Sequence, residues 1–258
     1  MVAPPSFQAT LPRSTNGMTL IELVITMALS ALLILGLVKI ASAASFSTQL
    51  QRNQAQLQEN ARLAIRTLSR VIRQTGFNPR PWSTSFPPQG LSGASQDHVS
   101  SAGDRLVISS WSDLNCFSNR NPETDSSGSP LYYIKESAFD LNSTKGLTRQ
   151  CRYGPSQAEL VTQVRRQGLI QGVESFQLQF GDDSDQDGAV DTWVKAGHWS
   201  DPDNVMAIRV GLLLSGEDRV VETKADTHAI LDSMVHSVAD GKLRRTIQFT
   251  TAFRGRTG

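Results

Sequence analysis

Residues 18–38 read MTLIELVITMALSALLILGLV, and this stretch decides the fold. As an α-helix it is about 30 Å long, the thickness of a bilayer's hydrocarbon core. Glu22 is its only charged residue, and Lys39 follows at the far edge, where an amine can snorkel to the interface. A carboxylate inside a membrane helix is costly and needs a partner. What precedes the helix is unlike a secretory signal. MVAPPSFQATLPRSTNG (residues 1–17) is polar and Pro-containing, with Arg13 as its only charged side chain. A secretory signal places its apolar region before a small-residue cleavage site. Here the small residue, Gly17, comes first, so a cut after it leaves the helix on the mature chain.

The helical pattern continues past the membrane stretch. No Pro or Gly interrupts residues 44–74, and Gly76 with Pro79 supplies a stop. Phe46, Leu50, Leu57, Ala61, Ala64, Leu68 and Val71 recur at helical spacing and predict one amphipathic stripe. Arg62, Arg66, Arg70 and Arg73 form a basic line beside it. That line reads as a solvated face suited to a helix C-terminus, or as a contact for acidic neighbours.

Residues 76–103 are dense in Gly, Pro and Ser and read as an irregular loop. Beyond them the pattern turns to short strands: DRLVISSW, LYYIKE, GLTRQCRYG, ELVTQVRR, VESFQLQF, VMAIRVGLLL and RRTIQFTTAF. Ile208, Val210, Leu212 and Leu214 alternate cleanly. A helix followed by such strands predicts an α+β chain, with a long N-terminal helix packed on an antiparallel sheet in a head over residues 104–258. The expected divisions are 1–17, 18–39, 40–75, 76–103 and 104–258.

Composition narrows the function. The 258 residues carry 25 Lys and Arg against 24 Asp and Glu, a net charge of +1. Nucleic-acid binders show a basic surplus that is missing here. Catalytic motifs are missing as well. None of His98, His198, His228 or His236 lies in HExxH, no GxSxG occurs, and no phosphate-binding GxxxxGK[ST] is present. Trp193 and Trp199 read as packing residues.

One segment does suggest a ligand. Asp183, Asp185 and Asp187, with Gly188 and Asp191, match the first part of an EF-hand Ca²⁺ loop. Val194 stands where that loop needs a bidentate Glu, and the flanks read as strands. Asp182, carbonyls or water would have to complete the shell. The expectation is Ca²⁺ at this turn. Cys116 and Cys151 remain free in a reducing compartment and pair in an oxidising one.

The junction Gly17, Met18-Thr19-Leu20-Ile21-Glu22-Leu23 resembles the class III leader of type IV prepilins and type II secretion pseudopilins. The resemblance implies cleavage after Gly17 by a prepilin peptidase and methylation of the new amine on Met18. Most members begin with Phe at that position. It also implies that Glu22 sets the register between subunits by pairing with a neighbour's amine. The stretches GLIQGVESFQLQFGDDSDQDGAVDTWV, NVMAIRVGLLL and RRTIQFTTAFRGR are similar to the PilW group of type IV pilus minor pilins.

That group implies a single-pass inner-membrane subunit with a periplasmic head, later carried into the pilus. Its implied partners are other minor pilins, the major pilin, the inner-membrane assembly platform and a tip adhesin. Adhesion, twitching motility or DNA uptake would follow from the filament. In the periplasm, Cys116 and Cys151 would pair. The alternative within this resemblance is a J-type minor pseudopilin of type II secretion. A membrane-tethered periplasmic enzyme or a calcium sensor is the reading from another class.

Overall fold

The computed structural model describes residues 17–97 and 103–254. Residues 1–16, which hold most of the expected leader and its Arg13, and His98 lie outside the described residues. The chain divides into two compact units, Met1–Thr48 and Gln49–Gly258.

Helix α1 runs unbroken over Leu20–Arg73. Its N-terminus is capped by Thr19, whose hydroxyl accepts from the Glu22 amide at 3.3 Å. In the first unit the large apolar side chains from Leu20 to Ile40 are all exposed. In the second unit the helix buries one face: Asn53, Leu57, Ala61, Ala64, Leu68 and Ile72. These positions follow three- and four-residue steps and make a single stripe. The stripe differs from the expected one. Phe46 is 53% exposed, Leu50 and Val71 are only partly buried, and Asn53 and Ile72 join the face. The helix ends as Gln74 and Thr75 donate to the carbonyls of Val71 and Ile72. Gly76 then turns with φ +77° and donates to Ser109.

The strands form two four-stranded antiparallel sheets and a hairpin, where the sequence predicts one sheet. The first sheet has the order β1-β2-β3-β4, from β1 (Leu106–Ser112), β2 (Tyr133–Leu141), β3 (Gly146–Gly154) and β4 (Val161–Gln171). The second has the order β10-β7-β5-β6, from β5 (Val173–Asp182), β6 (Thr192–Val194), β7 (Val205–Arg219) and β10 (Lys242–Ala252). Among the described residues, strands β8 (Asp226–Ile230) and β9 (Ser233–Ser237) pair only with each other.

One glycine makes the division. Strands β4 and β5 are separated by Gly172 alone, yet they belong to different sheets. Gly172 has φ +72°, and a Cβ there would meet the Ser215 carbonyl at 2.5 Å. The Ser215 amide closes the corner on the Gly172 carbonyl at 2.7 Å. Only glycine combines that backbone angle with so close an approach.

The helix stripe and both sheets share one core. Leu106, Ile108, Phe139 and Leu147 enter it from the first sheet, and Phe176, Leu178, Phe180, Ile208, Val210, Leu212 and Leu214 from the second. The alternation over 208–214 thus points each of those side chains inward. On the opposite face of β7, a Cβ at Gly211 would lie 2.5 Å from Ile230 of the hairpin. Ser233 donates to Gln177 at 3.1 Å. The hairpin covers that face, which explains why β5 and β7 are buried on both sides.

Candidate functional site

The N-terminal junction is built from a capped helix end and an unpartnered apolar surface. Gly17, Met18 and Glu22 are exposed, and Glu22 lies in the first turn of α1. Thr19 and Glu22 form the S/T-x-x-E spacing of a capping box, so the sequence itself carries a signal for this helix start. An acidic residue in the first turn also opposes the positive end of the helix dipole. From Leu20 the helix is long and apolar enough to cross a membrane, and none of its apolar window is buried within the chain. So much contiguous apolar surface requires lipid or other helices around it.

The acidic turn lies between β5 and β6. Asp183 is nearly buried, and its two oxygens accept from the amides of Asp187 at 3.1 Å and Gly188 at 2.9 Å. Asp185 accepts from the Asp187 amide at 3.2 Å, and Asp187 from that of Ala189 at 2.8 Å. Gln186 and Gly188 hold positive φ, as so tight a bend requires. Oxygens of Asp183, Asp185 and Asp187 lie within 4.8 Å of one another.

Asp191 does not join that convergence. It accepts from the Ser184 amide at 2.8 Å and hydroxyl at 2.7 Å, and those bonds hold its carboxyl below the usual range. Asp182 is turned to Ser200, and Val194 pairs with Phe180 in the sheet. The bond from the Asp187 amide draws the Asp185 carboxyl down. Desolvation and the charges of Asp187, Asp191 and Asp183 outweigh it, so the net shift is upward. Three hard oxygen donors converging at like charge suit Ca²⁺, with carbonyls and water left to complete the shell.

Comparison with known families settles what carries these features. The family described as Type IV Pilus-assembly protein W, PilW, matches residues 131–255. The Prokaryotic N-terminal methylation motif matches residues 12–38. These two matches support a type IV pilin of the PilW group. No curated protein matches it. The two families are pilin and pilus-assembly structural proteins, which are typically not enzymes. The apolar helix and the methylation motif fit a membrane-anchored subunit.

The remaining features of the chain are structural in character. Cys116 and Cys151 form a disulfide joining the segment after β1 to β3, packed against Tyr153. Burial pushes the Tyr153 hydroxyl up to about 12. Trp199 packs edge-on against Phe180 with ring centroids 5.1 Å apart, and Arg209 stacks 4.0 Å from the Trp193 ring. His236 and Thr227 are directly opposed across the exposed hairpin, 2.9 Å apart. That is a cross-strand pair, with no carboxylate holding the imidazole among the described bonds.

Proposed function

We propose that this chain is a minor pilin that helps to start pilus assembly and enters the complex at the filament tip. The observation that carries the reading is Glu22, in the first turn of a helix whose large apolar side chains from Leu20 to Ile40 are all exposed, close behind Gly17 and Met18. Cleavage after Gly17 frees the Met18 amine for methylation. In the membrane, the Glu22 carboxylate and the amine of a neighbouring subunit relieve one another's desolvation and fix the axial register. The head stands in the periplasm, an oxidising compartment that suits the Cys116–Cys151 bond.

The prepilin peptidase, the assembly platform, other minor pilins and the major pilin are its partners, and a tip adhesin is carried through the head. Adhesion, twitching motility and DNA uptake are properties of the filament it helps to build. The test replaces the native copy with Glu22→Val. Mass analysis should still find a chain starting at N-methyl-Met18, while sheared filaments should lack the subunit and piliation should fall. Normal piliation with this variant as the sole copy would refute the register role. A gene neighbourhood of secretion components would favour the J-type pseudopilin instead.

A second reading concerns the acidic turn, where convergence of Asp183, Asp185 and Asp187 supports a bound Ca²⁺. The ion would neutralise their repulsion and tie β5 to β6. Thermal unfolding with Ca²⁺ and then with EGTA tests this, and an unchanged midpoint would refute it.

A further inference from the structure

A cavity of about 520 Å³ opens between the last turns of α1 and the sheet formed by β1, β2 and β3. Arg66 and Arg70 line it from the helix, Lys135 and Arg149 from β2 and β3, and no carboxylate lies among its lining residues. None of these four cations forms an ion pair with a described residue. The Arg149 guanidinium reaches only the Ser137 hydroxyl, at 3.2 Å, and the Cys151 sulfur, and its buried Nε has no partner. Thr75, another lining residue, is 1% exposed, and its hydroxyl likewise has no partner. A buried donor without an acceptor is rare and needs an explanation. Burial, then the Arg149 charge, hold the Lys135 amine below its usual range, with Asp113 pulling the other way.

We infer that this cavity binds a soluble phosphate-bearing small molecule. Lys135 and Arg149 on one wall repel each other, Arg66 and Arg70 line the helix side, and an anion entering between them relieves that unbalanced positive charge, a phosphoryl group more than a carboxylate. Guanidinium groups match phosphate oxygens with paired hydrogen bonds, and the lining hydroxyls add donors. The volume lies within the range of small-molecule sites and exceeds what a lone phosphate fills. The ligand therefore carries its phosphate on a further group, as pyrophosphate or a phosphorylated sugar does. The basic line read from the sequence is thereby divided: Arg66 and Arg70 belong to the cavity, and Arg62 does not.

Inorganic pyrophosphate is the probe, titrated calorimetrically into the full-length protein in detergent micelles at constant ionic strength. Saturable one-to-one binding is expected, weakened about tenfold or more by Arg70→Gln and by Lys135→Met. Arg62→Gln removes the same charge from the same helix outside the cavity and should leave the affinity unchanged. Thermal unfolding of each variant checks that it is folded. Absence of saturable binding to the unaltered protein overturns the proposal. Equal weakening by Arg62→Gln also overturns it, because the effect is then diffuse attraction. Glutarate binding as tightly as pyrophosphate overturns the phosphate assignment.

Discussion

Arg244 on β10 grips Glu174 on β5 with two hydrogen bonds, Nε to Oε2 at 2.6 Å and Nη2 to Oε1 at 3.0 Å. The same guanidinium holds Asp240 with two more, at 2.8 Å each, and Lys145 reaches Glu174 at 3.0 Å. The side chains of Arg244 and Glu174 are only 6% and 7% exposed. Removing one partner from a buried pair leaves an uncompensated charge. Arg244→Met should therefore destabilise the head by about 3–5 kcal/mol, measured by denaturant unfolding. The double variant Arg244→Met/Glu174→Leu should recover much of that loss.

The network also fixes how the head responds to acid. Burial raises the Glu174 carboxyl, but the bonds from Arg244 and Lys145 outweigh it and leave it below the usual range. Arg244 holds the Asp240 carboxyl lower still. Both groups are thus more acidic folded than unfolded. Their contribution is full above the unfolded carboxylate range near pH 4 and is lost as pH falls through the folded values. The unfolding midpoint should drop below about pH 4 and drop less in the double variant. Equal acid sensitivity in both proteins would exclude the network as its source.

Much of this architecture was legible because few residues carried it. The strongly apolar stretch of 18–38, with Glu22 its only charge, and the absence of Pro and Gly through 44–74 pointed to one long helix. The alternation over 208–214 fixed which face of β7 meets the core. Three features were hidden for physical reasons. Gly172 reads as one residue inside a hairpin, and the sheet change depends on Ser215, distant in sequence. The β8–β9 hairpin has polar, exposed strands, and Leu231 takes its turn at φ +55° where Asn or Gly would signal one. Asp191 sits at a ligand spacing in sequence, but Ser184 captures its carboxylate.

Asn53 was hidden in the same way, as a polar residue within an apolar stripe. It is 1% exposed, and its side chain donates to Asp218 at 3.1 Å. Gly216 makes room for it, since a Cβ there would lie 2.5 Å from the Asn53 Oδ1. Gly216→Ala should therefore cost about 1–3 kcal/mol by overpacking. Gly93, where a Cβ would meet nothing within 4 Å, is the control and should tolerate alanine. Similar melting of both variants would show that Asn53 moves aside freely.

The disulfide closes a loop whose ends are 35 residues apart, from the segment after β1 to the middle of β3. Closing such a loop restricts the unfolded chain by roughly 4 kcal/mol in the entropy model. Cys151 is fully buried and Cys116 nearly so, which shields the bond from reductant while the head is folded. Replacing both cysteines with serine should therefore lower stability by about 2–5 kcal/mol. Adding dithiothreitol to the folded protein should act slowly, at a rate set by opening of the head. The measurement is thiol labelling over time under native conditions and again near the unfolding midpoint. Labelling that is rapid in both would show that the Cys116 side opens locally, without unfolding of the sheets.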